Sequence, residues 1–156
     1  MIEAGTDFSM AESTRLTGII FSDLGQARSF MVLEWVQASL KQCLGFSPFP
    51  ATLNVRPRTD ADAQVWRQVQ NRVRSLPLAP VDGGFCSARL YRIQILRPAR
   101  LEDRGAVSDG TSIVGAVLLP EVKSYPSDKI EIVAPMRLKD YLDLKDGDPL
   151  TLEFLN

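Results

Sequence analysis

The sequence predicts a fold dominated by β-strands, either barrel-like or of the α+β kind. Three observations lead there: about six segments rich in β-branched and aromatic residues, helical periodicity confined to at most three short segments, and no regular alternation of strand and helix. The chain has 156 residues, 45% of them hydrophobic. That is enough for one substantial core and short for two, so one compact domain is expected over residues 15–156, after a loose leader at 1–14.

The first strand is Arg15 to Phe21, "RLTGIIF", which ends at the small-residue loop "SDLGQAR". "SFMV" reads as a possible continuation of strand. From Glu34 to Leu44 the residues Trp35, Val36, Leu40, Cys43 and Leu44 recur at helical spacing, and Gly45 supplies the terminator. A second helical stripe, Val65, Trp66, Val69 and Val73, runs from about Asp62 to Arg74, with Asp60 or Asp62 as N-cap and the arginines on a solvated face. "FCSARLYRIQIL" (85–96), "SIVGAVLL" (112–119) and "KIEIVA" (129–134) read as strands. A short helical segment at "MRLKDYL" then meets the turn "KDGD", and Leu150, Leu152 and Phe154 alternate with Thr151 and Glu153 as a half-buried last strand.

Composition removes several chemistries. There is no histidine, which excludes Ser-His-Asp and Cys-His arrangements and most catalytic zinc sites. Cys43 and Cys86 lack a CxxC companion and read as two buried thiols in a reducing cytoplasm. Eighteen basic and nineteen acidic residues give a formal charge of -1, so no nucleic-acid partner is expected, although a local basic pocket remains open. No run approaches the length of a membrane span, and a soluble, cytoplasmic protein is expected; oligomeric state is left open.

No GxxxxGK[ST] or GxGxxG element occurs, and Asp146-Gly147-Asp148 fails the EF-hand spacing, leaving a turn into the last strand. The loop "SDLGQARSF" combines small residues with Arg28, a combination suited to phosphate oxygens and also common in plain surface loops. In "LGFSPFPATLN", two prolines and two phenylalanines stiffen a segment that carries Thr52 and Asn54 two residues apart. If extended, it turns both to one face, where their oxygens are hard ligands acceptable to Mg²⁺; the plainer reading is a turn followed by an edge strand.

Taken together, "GIIFSDLGQARSF", "LGFSPFPATLNV" and "IEIVAPMRLKDYLDLKDGD" resemble the CTP-dependent riboflavin kinase family in order and approximate spacing. The resemblance runs from about Thr17 to the C-terminus, more loosely between Arg58 and Arg104. It implies an all-β fold: a six-stranded Greek-key barrel of the cradle-loop type with two or three short helices. It also implies transfer of the γ-phosphate of CTP to the terminal ribityl hydroxyl of riboflavin, giving FMN and CDP, with Mg²⁺. By motif position, Thr52 and Asn54 match the family's magnesium ligands. Leu24, Gly25, Gln26, Ala27, Arg28 and Ser29 match its nucleotide-phosphate loop, and Met136, Arg137, Leu138 and Lys139 a second nucleotide-contacting segment. Glu131 matches a glutamate near the reacting end of the flavin, where it would orient or deprotonate the hydroxyl. Its alternative is a polar residue on the outer face of a strand, alternating with Ile130 and Ile132.

The chain departs from the family pattern at identifiable places. The family writes its first loop S-G-L-G-E-G, and here Asp23, Gln26 and Ala27 replace Gly, Glu and Gly; a lost glycine that needed positive φ would leave a strained β-carbon. Ala51 replaces a glycine before Thr52. Lys123 takes the place of a threonine that contacts the flavin phosphate, which fits a phosphate or a more anionic acceptor. The departures define two further readings: a member that binds nucleotide or flavin without turnover, and a kinase for another small hydroxyl compound. Archaeal relatives of that family can carry a helix-turn-helix domain, and none is expected within these 156 residues.

Overall fold

The computed structural model describes residues 14–23, 25, 27–80, 86–98 and 112–155. Among them are seven strands, β1 (Arg15–Phe21), β2 (Leu53–Pro57), β3 (Leu76–Leu78), β4 (Ala88–Leu96), β5 (Ser112–Pro120), β6 (Ile130–Val133) and β7 (Pro149–Phe154). Four helices accompany them, α1 (Ala27–Met31), α2 (Glu34–Leu44), α3 (Asp60–Arg72) and α4 (Leu138–Tyr141).

Six strands close a barrel in the order β1-β2-β6-β5-β4-β7, with β7 returning to β1 and every pair antiparallel. Strands β4, β5 and β6 follow as a meander, and β7 comes back beside β4, which is the Greek-key arrangement. The expected all-β barrel with short helices is therefore what the chain forms. The short β3 adds to the N-terminal end of β4, on the edge that β7 occupies further along. Closure leaves the barrel wall without a free edge.

Alternation along the strands builds two cores. Leu16, Ile20, Leu53, Val55, Tyr91, Ile93, Ile95, Ile130, Ile132, Leu150 and Leu152 belong to the larger one. Trp66 of α3 packs there in edge and stacked contacts with Tyr91 and Phe154. Leu90, Ala116, Leu118 and Val133, on the opposite face of β4, β5 and β6, join Met31, Val36 and Leu40 of α1 and α2 in a second core. The segment "SFMV" is thus helical at its start, because Ala27, Phe30 and Met31 have the spacing that lays one face of a helix on this second core. Gly45, at φ 86, ends α2 as the periodicity indicates.

The N-cap of α3 is Thr59, where Asp60 or Asp62 was the expectation. Thr59 and Asp62 form a reciprocal capping box, and Asp62 Oδ1 also accepts the N–H of Thr17 at 2.9 Å, which ties the helix to β1. Cys43 is half-buried and Cys86 exposed, both as free thiols, so the expectation of two buried thiols fails at Cys86. No helix among the described residues is long and apolar enough to cross a membrane. Most of the expected leader lies outside the described residues.

Burial alone would raise the Asp62 carboxyl, but hydrogen bonds from Thr17 and Thr59 outweigh it and hold the group below the ordinary carboxylate range. Such a carboxylate stabilises the fold at pH above its unfolded value of ~3.9 and loses that contribution as the pH falls through the lower folded value. Asp62→Ala is expected to lower stability by about 1 kcal/mol at pH 7. In urea denaturation the gap from wild type should close below about pH 4; a gap independent of pH would remove the carboxylate from the cap.

Candidate functional site

The register of three strands assembles the site. Phe21 lies opposite Asn54 in the β1–β2 pair, and Asn54 lies opposite Glu131 in the β2–β6 pair, so the three form one row across the wall. Their neighbours Ile20, Leu53, Val55, Ile130 and Ile132 fill the barrel, so the row faces outward. That face is not open to water: Glu131 is only 6% exposed and is the buried charged residue among those described. Glu131 therefore does occupy the outer face, as its alternation with Ile130 and Ile132 indicates, yet the segments laid over the wall enclose it.

The enclosed space is a cavity of about 430 Å³ over the β1, β2 and β6 wall. Its other sides come from the segments following β1, preceding β2 and following β6. The stretch before β2 is fixed by Phe49, whose N–H bonds the Ala134 carbonyl at 2.8 Å, and by an Ala51 N–H to Phe49 carbonyl contact of 2.7 Å. The two prolines flanking Phe49 limit the backbone further. The costly spelling of this turn thus holds Thr52 and Asn54 rigidly against the cavity.

A buried carboxylate needs donors, and Glu131 has one for each oxygen. The Thr52 hydroxyl donates to Oε1 at 3.0 Å, and the Tyr125 phenol donates to Oε2 at 2.5 Å. With its O–H directed at Glu131, the Thr52 oxygen keeps its lone pairs free to accept. Asn54 Oδ1 is buried with no hydrogen-bond partner among the described residues. An orphaned buried acceptor costs about 1–3 kcal/mol, and this one lies beside Thr52 and Glu131 on the cavity lining, where a donor or a cation would satisfy it. The donor set, two neutral oxygens beside a carboxylate, suits Mg²⁺, which keeps much of its water and shares substrate phosphates.

Cations line the rest of the cavity: Arg28, Lys129, Arg137 and Lys139. Lys129 pairs with Asp23 at 2.5 Å, Arg137 with Asp140 at 2.7 Å, and Lys139 donates to Ser22 and Asp146 at 3.2 and 3.0 Å. Hydrogen bonds from Ser22 and Lys139 hold Asp146 below the usual carboxylate range.

Of the residues the sequence singles out, the structure brings Gly25, Ala27, Arg28, Thr52, Asn54, Glu131, Met136, Arg137, Leu138 and Lys139 to this one cavity. Leu24 and Gln26 lie outside the described residues. Ala27, Arg28 and Ser29 begin α1, so the second half of the expected phosphate loop is helical; Ser29 is exposed on that helix and off the lining. Lys123 is exposed on the turn between β5 and β6 and does not line the cavity; the same turn sends Tyr125 to Glu131. Sequence reasoning passed over Tyr125 and Lys129, whereas Phe49 is one of the two phenylalanines it expected to stiffen the segment before β2. The departures from the glycine pattern carry no backbone strain: Gly25 has φ 73, and among the described residues the non-glycine at positive φ is Asp143.

A closed Greek-key barrel with a loop-covered, cation-lined cavity on its outer wall is the class of protein that fold and site define. The chain belongs to the CTP-dependent riboflavin kinase domain family, whose sequence model, described as "Domain of unknown function DUF120", matches residues 20–154. It is 34% identical over 141 residues to the riboflavin kinase of Pyrobaculum islandicum, covering 90% of this chain and 60% of that protein. It is 33% identical over 140 residues to the riboflavin kinase of Methanosarcina mazei, covering 90% and 56%. For the riboflavin kinase of Archaeoglobus fulgidus the figures are 26% over 144 residues, 90% and 54%. The chain spans between 54% and 60% of the length of these three relatives.

If Asp23 holds the charge of Lys129 in check, Asp23→Asn frees that cation toward the cavity. Calorimetric titration with pyrophosphate should then show binding about 5-fold tighter, roughly 1 kcal/mol, the scale of a partly exposed ion pair. Unchanged affinity would show that Lys129 does not act on ligands of the cavity.

Proposed function

We propose that this chain is a riboflavin kinase that uses CTP and Mg²⁺ to form FMN and CDP. The observation that carries the reading is the constellation on β2 and β6. There an unpaired buried Asn54 oxygen and a Thr52 hydroxyl already donating to Glu131 face one cation-lined cavity. Membership of the CTP-dependent family supports the donor, and the similarity to riboflavin kinases supports the acceptor.

Thr52 and Asn54 are the residues that would hold Mg²⁺, which when bound neutralises charge on the donor's phosphates. Arg28, Arg137 and Lys139 supply fixed positive charge for the phosphates, and Gly25 lets the backbone turn beside them. Glu131 accepts a hydrogen bond from the terminal ribityl hydroxyl and takes its proton as the oxygen attacks the γ-phosphorus. The new O–P bond forms while the bond to the β,γ-bridging oxygen breaks, and CDP leaves. Transfer of this kind depends on positioning and charge, so the absence of histidine is no obstacle. The volume of about 430 Å³ lies within the range of small-ligand sites.

Chromatography of reactions containing riboflavin, Mg²⁺ and one of CTP, ATP, GTP or UTP tests the proposal. FMN should appear fastest with CTP; folded protein that yields no FMN with any nucleotide would leave a non-catalytic binder or another acceptor. Asn54→Ala should cut FMN formation by at least about 100-fold. Because it deletes an unsatisfied buried acceptor, its melting temperature without metal should not fall below that of wild type. Full activity of this variant across Mg²⁺ concentrations would remove Asn54 from the metal site.

A further inference from the structure

The turn between β5 and β6 carries a residue that reaches the site without lining the cavity. In "SYPSDK" the Tyr125 N–H bonds the Val122 carbonyl at 3.0 Å and the Lys129 N–H bonds the Pro126 carbonyl at 3.4 Å, so two successive tight turns fix the path. Pro126 also limits the backbone of the residue before it. Tyr125 is half-buried, its ring faces the Lys129 ammonium at 5.6 Å, and Lys129 is in turn anchored by Asp23. Its phenol meets Glu131 Oε2 at 2.5 Å, on the oxygen that Thr52 leaves unoccupied.

Two donors on two different oxygens determine both the position and the plane of a carboxylate, since rotation about its last bond would break both contacts. Each oxygen still has a second lone-pair direction, and Glu131 lines the cavity, so the fixed carboxylate remains able to accept from a ligand. Thr52 is held by its place on the segment leading into β2. Tyr125 is held by a separate segment and has no contact with the cavity of its own. We infer that Tyr125 is a positioning residue: with Thr52 it locks the Glu131 carboxylate in the orientation that receives the acceptor hydroxyl, and the Asp23–Lys129 ion pair props its ring. Burial and the charge of Glu131 push the phenol well above its ordinary range, so it stays a protonated donor throughout the working pH. The inference rests on the role proposed above for Glu131.

The test is a double-mutant cycle with Tyr125→Phe, which removes the hydroxyl and keeps the ring, and Glu131→Gln, each alone and together. FMN formation is followed long enough to quantify slow variants, and melting temperatures are measured alongside. Tyr125→Phe should lower kcat about 10–100-fold, the scale seen when the support of a functional side chain is removed, with KM for riboflavin and CTP changed less than about 2-fold. In the Glu131→Gln background the same change should alter kcat less than about 2-fold, because Tyr125 acts through Glu131. Multiplicative losses, a loss confined to KM, or a Phe variant that melts far below wild type would each overturn the positioning role. Wild-type protein that makes no FMN overturns the kinase reading and this role with it, whereas active wild type with multiplicative losses overturns this role alone.

Discussion

The antiparallel pairing of β2 with β6 is the constraint on which both the core and the site depend. It sets Leu53 opposite Ile132 and Val55 opposite Ile130 on the inner face, and Asn54 opposite Glu131 on the outer face. A one-residue slip of β6 would turn Ile130 and Ile132 outward and Glu131 inward, and the same slip of β2 would turn out Leu53 and Val55 and bury Asn54 in the barrel. The hydrophobic demand of the barrel therefore specifies the register, and the register delivers the Asn54–Glu131 juxtaposition without a separate device. Barrel closure then keeps β2 and β6 from sliding, because each is flanked on its other edge, by β1 and β5.

The enclosure of Glu131 follows from how the outer face is divided. On the β4, β5 and β6 side, α1 and α2 cover it with apolar packing, and Leu118, the β5 partner of Glu131, belongs to that packing. On the β6, β2 and β1 side the covering segments leave a cavity. Glu131 stands at the boundary between the two, dry enough to require both Thr52 and Tyr125 as donors and close enough to the cavity to meet a ligand. A carboxylate further toward β5 would be buried in the second core, and one further toward β1 would be in the open part of the wall.

How much of this was legible follows the strength of local signals. β1 and α2 carry sustained periodicity and, for α2, a glycine stop, and their limits agree with the structure. β3 has three residues, one of them Pro77, too few to show a period. "SFMV" was ambiguous because an aromatic next to a branched residue suits a strand, while its helical face appears only against Val36 and Leu40, far from any strand partner. Thr59 announces itself as a cap only when Asp62 is read as its partner. In the site, the stiffness of "SPFPATLN" was readable, and so was the side of β6 that Glu131 takes. The cover over that side was not, because it comes from residues distant in sequence. Lys123 drew attention by its charge, whereas the geometry of two consecutive turns selects Tyr125, which no composition argument reveals.

Of the substitutions that set this chain apart in its first loop, Asp23 and Ala27 leave the backbone unstrained, and Asp23 adds a charge. Gly25 alone takes the left-handed conformation there among the described residues, and it is retained, so Asp23 and Ala27 occupy positions open to any side chain. What changes is the electrostatics of the cavity wall. Asp23 takes up the charge of Lys129, Asp140 that of Arg137, and Asp146 that of Lys139, while Arg28 has no acidic partner among the described residues. Among the described residues the cavity thus has one guanidinium without an acid beside it and three cations each paired with an internal carboxylate. The pairing weakens the net pull of each cation but fixes where each one waits. A chain with formal charge -1 can in this way gather four cations around one cavity without a broadly basic surface. The same acids explain why composition alone gave no sign of it, since every cation that faces the cavity, Arg28 excepted, is cancelled in the count by an acid placed beside it.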